Sequence, residues 1–325
     1  MRLLHLTDTH LGARFSGRPT TGVAAPPRGW SRAQDHQDAL DRALALADEL
    51  DVDAVVHSGD VFDRSKPPWR WLKAAAESLA RAARERPVVV LSGNHDRLGL
   101  TRTLPLHVPD LHIVDRPTNL TLRLRSGEVR LACVPYRRNV PGFRHGLEQA
   151  LGPGADLMVC HQAFDGVVVP GLTFRVGAQR DTVGAGDFDG LPRPDAILCG
   201  HIHPRQVVPC GGVPVVHPGC LLHTAMRDRA FPEGVAVWEL EARVRWRFVD
   251  LPGRPLVEVR SVEDLVAVTD GAMVAVRDVG AELLPSLLDA IAERGGFVVG
   301  QPRSTGTRVS SVASARDQQL SMFAL

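Results

Sequence analysis

Five times along this chain a short apolar run stops abruptly at a polar turn, and that rhythm restricts the fold more than any other feature. Leu3 to Thr7 leads into Asp8-Thr9-His10, Ala54 to His57 into Gly59-Asp60, and Val88 to Leu91 into Gly93-Asn94-His95-Asp96. Leu157 to Cys160 leads into His161, and Ala196 to Cys199 into Gly200-His201-Ile202-His203. Short aliphatic runs bounded by glycine or polar residues read as buried strands. Apolar residues at helical spacing over Ala33 to Leu50 and Trp71 to Ala83 place helices between them, the second preceded by Pro67-Pro68 and closed by Pro87. Strand, loop and helix in alternation predict a layered α/β domain with functional groups at strand ends.

The remainder of the chain reads differently. Arg14 to Arg32 and Gly166 to Gly190 are rich in glycine and predict long surface loops. Val235 to Leu240 and Val244 to Val249 alternate about Glu241-Ala242-Arg243, as a β-hairpin does. After a Pro/Gly linker comes strand, helix, strand, helix, strand: Leu256–Val259, Val262–Val266, Met273–Val276, Leu283–Glu293 and Phe297–Val299. The expected division is a main domain over 1–252, a small α/β domain over 253–303, and a flexible polar tail over 304–325.

Composition narrows the function classes. The 325 residues carry 38 basic and 37 acidic side chains, a formal charge of +1. A protein that grips nucleic acid with a broad basic surface shows a larger excess, so any hold on a polyanion must be local. Five cysteines, an odd number without C-x-x-C, argue against a disulfide framework or a zinc ribbon. Cys133, Cys160 and Cys199 read instead as buried strand thiols. No apolar leader with a small-residue cleavage site opens the chain, and no run of about 18 apolar residues could span a bilayer. The expectation is a cytoplasmic protein with no membrane partner.

One histidine after a strand is usually structural. Here Asp8, His10, Asp60, Asn94, His95, His161, His201 and His203 all lie just beyond apolar runs. In a layered α/β fold the carboxyl ends of neighbouring strands converge on one crevice. Imidazoles, carboxylates and an amide oxygen gathered there are costly to bury without a cation. Mixed nitrogen and oxygen donors suit manganese, iron or zinc better than a soft thiolate site does.

The ordered set D-x-H, G-D-x-x-D, G-N-H-D, a lone H and G-H-x-H resembles the motif set of the calcineurin-like metallophosphoesterases. Asp8/His10, Gly59-Asp60/Asp63, Gly93 to Asp96, His161 and Gly200-His201/His203 carry it. The resemblance implies a two-sheet β-sandwich flanked by helices, with a small α/β capping domain. It also implies two divalent metal ions, manganese foremost, with iron, zinc or magnesium as alternatives. Asp60 would bridge them, with Asp8, His10 and His203 completing one site and Asn94, His161 and His201 the other. Such a pair activates a water and clamps phosphate oxygens for in-line attack. His95 is then the group that stabilises the leaving oxygen or donates its proton. Asp63 matches the position that orients it, since a carboxylate on one ring nitrogen fixes the tautomer and raises the basicity of the other. Asp96 supports the metal shell or caps the following turn.

Within that superfamily the flanks resemble the SbcD-type branch of DNA repair exonucleases: Thr7 to Gly12, Gly59 to Pro68, and His217-Pro218-Gly219-Cys220, with Cys in place of a usual Ser. DNA is the implied substrate, and the Leu256 to Gln301 unit resembles the cap that holds it. Gln319-Leu320-Ser321-Met322-Phe323 resembles the pentapeptide that binds the bacterial β sliding clamp, with Met322 in place of a usual Leu. Arg14, Arg18, Arg28, Arg32, Arg64, Arg97, Arg137 and Arg138 are candidate DNA-backbone contacts, against the ordinary reading of a solvated face. The short polar segment after the cap argues against the coiled-coil ATPase partner of that branch, and a homodimer is left open. The competing readings are a phosphodiesterase or phosphatase for small phosphoesters, and a clamp-associated scaffold with a structural metal site.

Overall fold

The computed structural model describes residues 1–14, 22–96, 99–104, 107–169 and 182–302. Strand and helix alternate through the first part: β1 (Arg2–Leu6), α1 (Arg32–Glu49), β2 (Ala54–His57), α2 (Trp69–Ala83), β3 (Val88–Leu91), the single turn α3 (Leu100–Thr103) and β4 (Leu111–Val114). A hairpin of β5 (Thr118–Leu124) and β6 (Gly127–Val134) leads to α4 (Val140–Leu151) and β7 (Leu157–His161). Then come the short β8 (Ala163–Phe164) and β9 (Thr182–Val183), β10 (Ala196–Gly200), and the hairpins β11 (Gln206–Cys210)/β12 (Val213–His217) and β13 (Gly234–Leu240)/β14 (Val244–Asp250). Last are β15 (Leu256–Val259), β16 (Met273–Val276), α5 (Leu284–Glu293) and β17 (Phe297–Val298).

Two six-stranded sheets result, ordered β14-β13-β1-β2-β3-β4 and β11-β12-β10-β7-β6-β5. Each has a core of parallel strands, the first sheet with one antiparallel edge and the second with antiparallel strands at both edges. Because side chains alternate across a strand, every central strand serves two apolar layers. Leu3, Ala54, Val56, Val89 and Leu91 meet Leu131, Cys133, Leu157, Val159 and Leu198 between the sheets. Leu4, Leu6, Val55, Val88 and Val90 pack outward on α1 and α2. Ala132, Val134, Met158, Cys160 and Ile197 pack outward on α4. Strands buried on both faces read as continuous apolar runs, which is why the sequence showed runs instead of alternation.

The expected fold class holds: a layered α/β sandwich flanked by helices. Helix α1 begins one residue earlier than its periodicity suggests, because the Ser31 hydroxyl caps it by accepting from the Gln34 N–H at 3.2 Å. The Val262–Val266 segment forms a 3-10 turn at Glu263–Ala267. Strands β15, β16 and β17 make a separate parallel sheet. Its apolar face is shared with Ala24, and Trp30 stacks edge-on against Phe297 at 4.8 Å.

Two expectations about the first long loop are corrected by this packing. The described part of 14–32 is not simply surface loop, since Ala24 and Arg32 are buried. Arg32 is no candidate for touching DNA: its guanidinium donates to the His223 carbonyl at 2.6 Å and lies beside Asp35 and Met273. Asp35 in turn faces Arg254 at 3.3 Å. These polar contacts tie α1 to the small sheet. Arg18, Arg97, the 304–325 tail and its Gln319–Phe323 motif lie outside the described residues. No described helix is long and apolar enough to cross a membrane.

Candidate metal centre and active site

The carboxyl ends of five parallel strands open onto one crevice. The first sheet contributes Asp8 and His10 after β1, Asp60 after β2, and Asn94 and His95 after β3. The second contributes His161 at the end of β7 and His201 and His203 after β10. Asp8, His10, Asp60 and His201 all have positive φ (50°, 46°, 55° and 78°), a backbone state disfavoured for side chains that aims them back across the strand ends. Gly59 and Gly93 make room: a methyl at Gly59 would collide with the His161 ring, and one at Gly93 with the Asp60 carboxylate.

Donor atoms gather in two groups about Asp60. His10 Nε2 lies 3.2 Å from His203 Nε2 and 3.7 Å from Asp8 Oδ1. Asn94 Oδ1 lies 2.9 Å from His161 Nε2 and 2.8 Å from His201 Nδ1. Asp60 Oδ2 sits between the groups, 3.8 Å from His10 Nε2 and 3.4 Å from His161 Nε2. Ligands about 2.1 Å from one cation are about 3.0–3.4 Å apart; the spacings here run from 2.8 to 3.8 Å and bracket that range. Asp8 Oδ1, buried at the centre, has no hydrogen-bond partner among the described residues. The sequence-predicted donors therefore converge, and the set fits divalent metal binding.

Electrostatics point the same way. Burial alone would raise Asp8 and Asp60, but the surrounding histidines outweigh it and hold both carboxyls below their ordinary range. Burial would lower His161, yet the adjacent Asp60 carboxylate lifts it to about 10. A proton on that ring occupies the place a cation would take. Burial pushes His201 down to about 3, keeping its ring neutral and able to donate a lone pair.

His95 stands apart, half-buried at the rim with Nε2 3.9 Å from Asp60 Oδ2. The group on His95 Nδ1 is the main-chain carbonyl of Asp63, at 2.7 Å, while the Asp63 carboxylate lies 3.4 Å from Arg64 and within 4.8 Å of ring nitrogens of His95 and His10. The carbonyl fixes the same tautomer that a carboxylate would. Asp96 joins the two loops: its carboxylate accepts from Gly93 N at 3.0 Å and from Val61 and Phe62 N at 3.3 Å. Burial, with the Asp60 charge adding to it, pushes its carboxyl up to about 7.

Tyr136, Arg137 and Arg138 follow β6 and line a cleft of about 260 Å³ beside Asn94. Tyr136 packs its ring 5.6 Å from that of His201. Arg14, Arg28, Arg64 and Arg138 are exposed, and Arg137 is half-buried. Sequence reasoning missed Ser58, whose carbonyl lies 2.9 Å from His161 Nδ1, and the pair Thr224 and Asp228, which approach His203 Nδ1 at 3.3 and 3.6 Å. A main-chain partner has no sequence signal, and nothing in the segment around Asp228 marks it as a site.

The chain is 34% identical over 122 residues to the SbcD component of the nuclease SbcCD of Bacillus subtilis, covering 36% of this chain and 28% of that one. It is 29% identical over 260 residues to the SbcD component of the same nuclease from Rhodobacter capsulatus, covering 72% and 59%. With the DNA double-strand break repair protein Mre11 of Archaeoglobus fulgidus it shares 28% identity over 253 residues, covering 70% and 52%. The chain thus spans between about a quarter and three-fifths of the length of these relatives. Residues 1–205, which include every member of the crevice, match the calcineurin-like phosphoesterase family, and the chain belongs to that family.

Proposed function

We propose that this protein is a metal-dependent DNA nuclease acting in repair, hydrolysing phosphodiester bonds, with exonuclease and single-strand endonuclease action both within its chemistry. The observation that carries the reading is the double group of buried donors around Asp60 with a separate, accessible histidine beside it. The names of the relatives, nucleases and a double-strand break repair protein, support DNA as substrate.

Asp8, His10, Asp60 and His203 would hold one cation, and Asp60, Asn94, His161 and His201 the other; manganese suits the mixed donors, with iron, zinc or magnesium as alternatives. When bound, the pair supplies Lewis acidity and lowers the pKa of water. The residues of the chain do the rest. Asp60 Oδ1 accepts from the His95 backbone N–H at 2.8 Å, fixing the start of the loop that carries the ring. The Asp63 carbonyl accepts from His95 Nδ1–H, so Nε2 is the nitrogen left facing the leaving oxygen, where a proton taken up from solvent can be passed to that oxygen. Arg14, Arg64, Arg97, Arg137 and Arg138 would contact flanking phosphates. The tail pentapeptide Gln319–Phe323 would tether the enzyme to a sliding clamp, raising its effective concentration on DNA.

The test is hydrolysis of end-labelled single- and double-stranded DNA with manganese, magnesium or zinc, alongside an aryl phosphodiester. Wild type should degrade DNA, and Asp60→Ala should lose at least about a thousandfold in rate. Rapid turnover of the aryl ester with intact DNA would replace this reading with a small-phosphoester enzyme. Wild-type inertness toward both substrates would leave a scaffold.

A further inference from the structure

We propose that Asp228, acting through and beside Thr224, is a positioning residue that sets the tautomer and direction of His203; the inference rests on His203 being a metal ligand. His203 presents its two ring nitrogens to different surroundings. Nε2 faces the crevice, 3.2 Å from His10 Nε2 and 3.9 Å from Asp8 Oδ1. Nδ1 faces away from it, 3.3 Å from Thr224 Oγ1 and 3.6 Å from Asp228 Oδ2. Thr224 Oγ1 is itself 3.2 Å from Asp228 Oδ2, which also accepts from the Ala225 N–H at 3.1 Å. Asp228 is 4% exposed.

The direction of this chain follows from what each group can do. A carboxylate only accepts, so the Thr224 hydroxyl donates to it. The hydroxyl then offers a lone pair to the ring, and the ring must donate from Nδ1. Nε2 is left with its lone pair toward Asp8 and His10, which is what a cation requires. His161 and His95 reach the same state through main-chain carbonyls, of Ser58 and Asp63. His203 is held by side chains, which substitution can remove. These side chains also sit on a fixed mount. The 3-10 turn Met226–Ala230 is joined to β15 of the small sheet by Arg229 and Glu258 at 3.5 Å.

A merely structural Asp228 would cap its own turn through Ala225 and nothing more, and the two roles separate experimentally. The 325-residue chain is titrated with Mn²⁺ by calorimetry, and with Co²⁺ while the visible d–d spectrum is recorded. The variants are Asp228→Asn, Asp228→Glu and Thr224→Val, with Asp60→Ala as control; metal-free melting temperature is followed in parallel. Asp228→Asn keeps a cap acceptor but loses the obligate one. It should weaken one of the two sites by about 10–100-fold and alter the Co²⁺ spectrum, and Asp228→Glu should recover part of the loss. Wild-type affinity and spectrum in Asp228→Asn overturn the proposal, provided Asp60→Ala has lost metal. If Asp60→Ala also binds metal normally, the metal centre itself has been misread. Should Asp228→Asn fail to fold, Thr224→Val decides, because unchanged affinity there is equally fatal.

Discussion

His161 Nδ1 lies 2.9 Å from the carbonyl oxygen of Ser58, so the end of β7 in one sheet is hydrogen-bonded to the turn after β2 in the other. The donor groups straddle the same seam. Cations bound there would join the sheets a second time and stabilise the folded chain by mass action, about 2.7 kcal/mol at a hundredfold excess over Kd. For a chain of this size that corresponds to roughly 4 °C in Tm. Thermal scans in Mn²⁺ and in EDTA should differ by this amount; coincident curves would argue against metal at the seam.

His95 and Asp63 are predicted to behave differently. His95→Ala should lower kcat by about 10²–10⁴ while leaving Mn²⁺ stoichiometry unchanged. Asp63→Ala keeps the carbonyl that holds the ring, so its kcat should stay within about tenfold of wild type. A collapse of activity in Asp63→Ala would show that the carboxylate is needed after all.

Arg32 and Arg64 separate stability from DNA contact. Arg32 is buried among His223, Asp35 and Met273, and stranding those partners in Arg32→Ala should cost about 3 kcal/mol. Its DNA affinity should keep the wild-type salt dependence. Arg64 is exposed, and Arg64→Ala should leave stability within about 0.5 kcal/mol while reducing the salt slope by about one. Urea melts and binding isotherms at several salt concentrations distinguish the two.

Cys133 gives a pH dependence. Burial pushes its thiol up to about 12. An acid whose folded pKa is raised leaves stability intact below its unfolded value, near 9.0, and removes it as pH climbs toward the folded value. Stability should therefore fall between pH 9 and 10 by about 1.0 kcal/mol on account of this thiol. Urea unfolding of wild type and Cys133→Ala at both pH values measures it, and equal declines would remove Cys133 as the cause.

The central strands and the convergence of Asp8, His10, Asp60, Asn94, His161, His201 and His203 were legible in the sequence, because apolar run and polar turn are both local signals. What escaped was non-local or main-chain. Arg32 sits in a polar stretch and reads as solvated, and only the arrival of His223 and Met273 from far along the chain buries it. The hydrogen-bond partner of His95 Nδ1 is a carbonyl, which every residue has and which no sequence pattern signals. Asp228 lies in a segment whose spacing resembles no metal motif, and its role depends on a turn folding back on the loop after β10.

The left-handed backbone at Asp8, His10, Asp60 and His201 limits how far these motifs can travel. Each such residue opposes folding by on the order of 1 kcal/mol, and the strands preceding them, buried on both faces, supply the opposing force. A D-x-H or G-H-x-H segment grafted onto a less firmly anchored strand end would relax to ordinary β geometry and swing its imidazoles apart. The portable unit for protein engineering is therefore the whole sandwich, and transplanting the letters alone would carry the spelling without the shape.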